Sequence, residues 1–177
     1  NDATQANLAT LASRGLQLWG PDSGSQACGD VGPGRMLDPL ELVERCVAAL
    51  APAQTLAGLR LLLTAGPTRE ALDPVRYISN PSTGRMGLAM ARTAWYRGAE
   101  VRVILGPVEA TGTLHGLDVR RVVSALDMYG AVMEDLDWAS CVVKAAAVGD
   151  YRAKAPSAHK IKREGKGTIS LEPEQNP

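Results

Sequence analysis

Three guanidinium groups, Arg69, Arg76 and Arg85, fall in one stretch that also carries Gly66, Ser82, Thr83 and Gly84. Arginines and unpaired backbone N–H groups are what a phosphate or carboxylate needs around it. Gly66, Ser82 and Gly84 are therefore the candidate anion cradle, since a glycine-bearing loop that enters a helix converges N–H donors on one point. A second candidate is Cys28, flanked by Ala27 and Gly29. A free thiol has a pKa of about 8.5, so at neutral pH most of it keeps its proton, and such a group can deliver one to a carbanion. A small buried cysteine with no chemistry is the plainer reading of Cys28 on local sequence alone.

The elements that must hold the cradle can be read around it. Leu61-Leu62-Leu63-Thr64 is a short apolar run suited to a strand buried on both faces, and Gly66-Pro67-Thr68 stops it. A polar loop of roughly seventeen residues follows, long for a simple crossover. Met86, Met90 and Ala94 then recur at helical spacing, with Ser82 or Thr83 as cap and Gly84 and Gly87 allowing close approach to a strand or ligand. Met86, Met90 and Trp95 are expected in the core. Glu100–Leu105 predicts a second strand, Val119–Val123 a third, a Ser124-capped helix runs through Leu136, and Ala139–Ala146 predicts a fourth strand. Strands alternating with helices imply an α/β fold, a Rossmann-like doubly wound parallel sheet. Ligands bind such sheets at the carboxyl ends of the strands, where Gly66, Gly106 and Ala146-Ala147 fall.

Upstream, Asp2–Arg14 has the pattern of a helix stopped by Gly15, and Leu16–Trp19 of a short strand. Gly20–Pro39, rich in Gly and Pro, predicts an exposed, shaped loop. Pro39 to about Leu50 predicts a helix with Asp38 as cap and Cys46 in its core face. Residues 1–50 form an α/β edge, 51–58 a linker, and 59–177 a second domain. Both ends look cut, the last residues following a strand-like stretch, so the chain reads as a piece of a longer protein.

Composition bounds the functions. The 177 residues are 45% hydrophobic and 21% charged, with nineteen basic residues against nineteen acidic ones. This balance, without a basic patch interleaved with aromatics, argues against nucleic acid as a partner. No run approaches a membrane span. Cys28, Cys46 and Cys141 are odd in number and widely spaced, which suits a reducing cytoplasm and gives no metal-ligand set.

GPTREALDPVRYISNPSTGRMG at 66–87, with KAAAVGDYRAKAP at 144–156 and KIKRE at 160–164, resembles the phosphopantothenate–cysteine ligase half of the bifunctional bacterial coenzyme A enzymes. The ACGDVGPGRM stretch at 27–36 resembles the tail of their other half, phosphopantothenoylcysteine decarboxylase. The resemblance covers nearly the whole chain. It implies that residues 1–50 close a flavodoxin-like, FMN-dependent decarboxylase domain, with Cys28 as proton donor on a flap that also holds Arg35. The flavin-binding core and that site's histidine and asparagine are expected upstream of Asn1. Residues 59–177 become the front of a ligase domain, with a further basic loop and much of a homo-oligomer contact expected beyond Pro177.

The implied ligase reaction activates 4'-phosphopantothenate with CTP to an acyl-cytidylate, after which the amine of cysteine displaces CMP. Mg²⁺ would screen the triphosphate. By resemblance Asn80 handles the intermediate, its amide donating to phosphate or carbonyl oxygen. Asp150 accepts from a base amino group or ribose hydroxyl, and Lys160 contacts the nucleotide during activation, with Lys162 beside it. Thr83 and Gly149 stand where the family more often has Ser and Ala. A nicotinamide oxidoreductase is the alternative on fold grounds, but G-x-G-x-x-G and an acidic residue closing the second strand are both absent. A nucleotide-binding or dimerising module without activity is the non-enzyme alternative.

Overall fold

The computed structural model describes residues 1–51, 54–109, 114–162 and 171–177. Its contacts cluster into two units, Asn1–Val47 and Ala48–Pro177.

In the first unit, helix α1 spans Asp2–Ser13, capped by the Asn1 side chain on the Thr4 N–H, and it buries no residue. Leu16–Trp19 is not a strand. The strands lie within the Gly-rich stretch read as a loop: β1 (Asp22–Ser25) pairs antiparallel with β2 (Val31–Arg35). Helix α2 runs Pro39–Leu50, and the Asp38 carboxylate accepts the Leu40 N–H at 2.8 Å, as the cap reading requires. Cys46 is exposed, contrary to expectation, because α2 buries none of its residues; its apolar positions Leu40, Val43 and Leu50 are exposed too.

The second unit is built on β3 (Arg60–Ala65), the centre of a four-stranded parallel sheet ordered β7-β6-β3-β8. Here β6 is Glu100–Leu105, β7 is Asp118–Arg121 and β8 is Cys141–Lys144, so the third and fourth strands are shorter than their apolar runs. Beyond these bounds single bonds still follow the sheet: Val122 donates its N–H to the Leu105 carbonyl and Ala145 to the Thr64 carbonyl, each at 3.0 Å. The sheet grows from β3 through β6 to β7 on one side, then returns across it to β8 on the other. Position β3 is thus where the strand order reverses, the crevice that ligands use in doubly wound sheets.

Alternation along β3 assigns its two faces. Leu61, Leu63 and Ala65 pack with Leu88, Ala91 and Ala94 of helix α3 (Arg85–Tyr96) and with Val101, Val103 and Leu105. Leu62 packs on the opposite face with Ile104, Val122, Met128 and Ala131, the last two from helix α4 (Ala125–Asp135). The α3 stripe is therefore Gly87, Leu88, Ala91 and Ala94: Ala94 is buried as expected, and the two methionines are not. Met86 and Met90 are 67% and 42% exposed, and Trp95 only flanks the core. Small residues win this face because α3 lies close on β3: a Cβ at Gly87 would meet the Ala65 Cβ at 2.6 Å. The α4 start holds to expectation, since Ser124 forms a full capping box with Asp127. Hydrogen bonds from the Ser124 backbone and side chain hold the Asp127 carboxyl below its ordinary value.

The long loop after β3 has structure of its own. Strands β4 (Arg69–Ala71) and β5 (Tyr77–Ser79) pair as a hairpin, and β9 (Tyr151–Ala153) pairs with β10 (Pro173–Gln175).

Candidate functional site

The three strands that end side by side at β3, β6 and β8 bring three backbones together. Gly66, at φ +81°, lies against Gly106 and Gly84: a Cβ on Gly84 would sit 3.4 Å from the Gly66 Cα. A Cβ on Gly106 would fall 1.8 Å from the Pro67 carbonyl oxygen. Gly66 and Gly84 of the expected cradle are thus adjacent, and Gly106 is built into the same place. Only a residue without a side chain fits at Gly106, because its neighbour there is backbone. Gly84 itself, left-handed at φ +69°, is the N-cap of α3, and neither Ser82 nor Thr83 caps it. The Ser82 hydroxyl instead accepts the Gly84 N–H at 3.3 Å, which holds the turn in front of the helix. The first-turn N–H groups of α3 have no intrahelical acceptor, as at any helix start.

The end of β8 joins this floor. Ala147 donates its N–H to the Gly66 carbonyl at 2.8 Å and accepts from the Thr68 N–H at 3.3 Å, so Ala146-Ala147 continue the sheet one step past β8. Thr68 is wholly buried, and its hydroxyl accepts the Gly149 N–H at 2.9 Å. Asn80 reaches the same turn, donating its amide to the Val148 carbonyl at 2.9 Å. The expected site residues Gly66, Gly84, Ala146, Ala147 and Asn80 are therefore brought together, and Asp150, exposed, follows on the same turn. Asn176 fixes that turn from the other side, its amide on the Gly149 carbonyl at 2.7 Å and its N–H on the Asp150 carbonyl at 2.9 Å. At Gly149 an added Cβ would meet only the Glu70 side chain at 3.3 Å and Thr68 Oγ1 at 3.6 Å, so alanine is nearly accommodated there.

Lys160 and Lys162 are exposed and flank Ile161, whose backbone is bonded to Asp73 and Arg76 in the turn of the β4–β5 hairpin. No hydrogen bond or ion pair among the described residues joins them to Asn80 or Asp150. The three arginines also part company. Arg69 stacks its guanidinium over the Tyr77 ring at 4.6 Å, Arg85 is exposed at the start of α3, and Arg76 is bound to Asp73 at 3.3 Å and to the Ile161 carbonyl at 3.1 Å. Arg76 is thus engaged by protein groups rather than held ready for a phosphate. Cys28 belongs to the first unit, exposed at the tip of the β1–β2 hairpin, with its sulfur 3.6 Å from Asp30 Oδ2. The plainer reading, a buried apolar cysteine, fails on that exposure.

Two buried carboxylates went unread in the sequence. Glu70 accepts the Ala125 N–H at 3.0 Å, capping α4 from 55 residues away. Asp73 accepts from the N–H groups of Val75 (2.8 Å), Arg76 (2.7 Å) and Ile161 (3.1 Å). Burial pushes the Asp73 carboxyl up, but those three donors and the Arg76 charge outweigh it and hold it below its ordinary value. The Asp73-Pro74 pair is a turn signal that could have flagged Asp73. Nothing local pointed from Glu70 to Ala125.

The sequence profile of the DNA/pantothenate metabolism flavoprotein C-terminal domain matches residues 56–177. This chain belongs to that family. It is 52% identical over 164 residues to the coenzyme A biosynthesis bifunctional protein CoaBC of Escherichia coli K12, covering 92% of this chain and 40% of that protein. With CoaBC of Vibrio cholerae it shares 49% identity over 178 residues, covering 100% of this chain and 44% of that one. The chain therefore spans less than half the length of these relatives. Among solved structures, the C-terminal domain of a CoaBC protein superposes with a TM-score of 0.58 at 41% identity, covering 70% of this chain and 56% of that one. The flavoprotein from Streptococcus pneumoniae, at 23% identity and TM-score 0.58, shares the fold.

The family name implies a flavin, and the resemblance implies Mg²⁺. The described residues of Asn1–Val47 do not enclose a flavin, since Leu37 is the buried apolar side chain there and the rest of its apolar groups are at least partly exposed. No group of three or more His, Cys, Asp or Glu that could hold a metal ion occurs among the described residues, so no protein donor set for Mg²⁺ can be named. Nor is any described helix long and apolar enough to cross a membrane.

Proposed function

We propose that residues 59–177 are the front of a phosphopantothenate–cysteine ligase acting in coenzyme A biosynthesis, with CTP as the activating nucleotide. The observation that supports this best is the meeting of the Asn80 loop with the Ala146–Asp150 turn on the glycine floor at the strand ends. A bound triphosphate lies along Gly66, Ser82 and Gly84, with its α-phosphate facing the start of α3. The carboxylate oxygen of 4'-phosphopantothenate attacks the α-phosphorus, and the bond to pyrophosphate breaks. The amine of cysteine then attacks the acyl carbon, loses a proton and expels CMP. Asn80 holds the acyl-cytidylate by donating the second N–H of its amide to a phosphate or carbonyl oxygen, the first staying on the Val148 carbonyl. Asp150 accepts from the nucleoside, and Lys160 neutralises charge that develops on the leaving pyrophosphate.

Residues 1–50, on this reading, close a decarboxylase domain in which Cys28 returns a proton to the carbanion left by carbon dioxide, and 51–58 join the two parts. Leu56 nonetheless packs on the core of the second unit and donates its N–H to Arg97, so the join is tethered at its far end. FMN supplies the electron sink when bound by the decarboxylase half. Exposure of the Cys28 thiol supports its role. The protein is cytoplasmic and works as a homo-oligomer on small molecules, for which exposed Val75, Tyr77 and Ile78 on the hairpin offer an apolar surface.

The test is pyrophosphate release from 4'-phosphopantothenate by the full-length polypeptide, with CTP or ATP, with and without cysteine. Release that needs both CTP and phosphopantothenate and persists without cysteine supports the acyl-cytidylate route. Absence of release with either nucleotide refutes the ligase.

A further inference from the structure

Segment 157–161 is not a free loop. Ser157 donates its N–H to the Leu72 carbonyl at 2.9 Å, and one residue, Ile161, is held at both ends of its backbone. Its N–H donates to Asp73 Oδ2 at 3.1 Å, and its carbonyl accepts from Arg76 Nη1 at 3.1 Å. The same Arg76 Nη1 lies 3.3 Å from Asp73 Oδ2. Asp73 is itself fixed, because its other oxygen accepts the N–H groups of Val75 and Arg76 and its side chain is fully buried. A carboxylate and a guanidinium, paired with each other, therefore grip the donor and the acceptor of a single residue, and that residue sits between Lys160 and Lys162.

We propose that Asp73 is a positioning residue of the ligation site, acting with Arg76 as a two-point clamp on Ile161 that sets where Lys160 and Lys162 present their charge. The chemical need is plain. A lysine side chain loses considerable freedom when it meets a phosphate, and an unanchored backbone would add its own entropy to that cost. With Ile161 clamped, only the lysine side-chain torsions remain to be ordered when the nucleotide arrives. The inference rests on the ligase reading for what the lysines touch, but the clamp itself is independent of it.

The variant is Asp73→Asn in the full-length polypeptide. It keeps shape and one acceptor, but if that oxygen stays on Val75 and Arg76, the new NH₂ faces both the Ile161 N–H and the Arg76 guanidinium, donors against donors. Two measurements are made on it. Amide hydrogen exchange of Ile161 is expected to speed up roughly tenfold or more while the β3 and β6 amides keep their protection. Unchanged Ile161 exchange overturns the clamp whatever the enzyme does, and loss of protection throughout the sheet overturns a local role. In the second measurement, CTP-dependent pyrophosphate release is compared for Asp73→Asn, Lys160→Ala/Lys162→Ala and the combined variant. Asp73→Asn is expected to cost roughly 10- to 100-fold. If it acts through the lysines, the combined variant is no slower than the lysine variant; multiplying losses overturn that path. A wild-type protein that releases no pyrophosphate refutes the ligase reading, while the exchange result still decides the clamp.

Discussion

Helices α3 and α4 each carry one internal glycine, and the same substitution at the two is expected to move stability in opposite directions. Replacing an internal helical glycine by alanine gains roughly 0.5–1 kcal/mol of backbone entropy. At Gly130 of α4 nothing lies within 4 Å of the added Cβ, so Gly130→Ala keeps that gain. At Gly87 of α3 the Cβ would be 2.6 Å from the Ala65 Cβ and 3.3 Å from Leu63 Cδ2. Carbon atoms rest at about 3.5–4.0 Å, so α3 must retreat from β3 by about 1 Å. Overpacking of this kind costs about 1–3 kcal/mol, which exceeds the propensity gain. Because that gain is common to both variants, their difference isolates the strand contact at about 1–3 kcal/mol. Urea denaturation measures it directly: with m of about 1–3 kcal/mol/M, the two midpoints should separate on the order of 1 M, Gly130→Ala above the parent and Gly87→Ala below it. Adding Ala65→Gly to Gly87→Ala removes the opposing methyl and should move the midpoint back up. Equal midpoints for the two alanine variants would refute the close packing of α3 on β3.

Asn80→Ala should reduce CTP-dependent pyrophosphate release on the order of 10²-fold with an unchanged urea midpoint, since the side chain is exposed and, among the described residues, donates a single bond, to Val148. Thr68→Val leaves the Gly149 N–H without its acceptor in a buried place, and is expected to lower stability by about 1–3 kcal/mol in urea titration. Asp73 carries a pH signature. Its folded carboxyl lies below the ordinary value, so its contribution is complete above the unfolded pKa of about 3.9 and is lost as pH falls through the lower folded value. Urea midpoints followed downward from pH 5 should therefore fall less steeply in Asp73→Asn than in the parent.

Much of this architecture was legible because it is periodic. The β3 run, the β6 boundaries, the Ser124 cap and the stops at Gly15 and Gly66 are all local signals, and each resides in a few consecutive residues. The errors have one origin too. Met86 and Met90 are large and apolar at helical spacing, which favours them for the core on pattern alone. What decides the face of α3 is the distance to β3, and that distance admits Gly87, Ala91 and Ala94 but not a methionine. Cys46 fails for the converse reason: α2 is amphipathic, but its apolar face is exposed in this chain. The Gly-Pro-rich stretch at Asp22–Arg35 hid a hairpin because strand residues are normally β-branched or aromatic, and this one rests on backbone pairing with one side-chain bond across it, from Gln26 to the Pro33 carbonyl.

Candidate residues for the site could be named from the sequence, but the bonds that hold them could not. Thr64, Thr68, Glu70 and Asp73 are the buried polar side chains among the described residues, and three of them sit in the segment after β3. Each of those three reaches a different later segment: Thr68 the Gly149 turn, Glu70 the start of α4, Asp73 the Ile161 backbone. Burying a carboxylate or hydroxyl is costly unless it is fully bonded, so these residues are stable there only if all three segments arrive in register. Each of the loop's three buried polar side chains is satisfied by a partner 55 to 88 residues away in sequence. The family resemblance, rather than residue type, is what points to Asn80, Asp150 and Lys160 as nucleotide residues. What fixes the turn bearing Asp150 is its long-range bonds to Gly66, Thr68 and Asn176, and what fixes the segment bearing Lys160 is its bonds to Leu72, Asp73 and Arg76; no spacing along the chain encodes those.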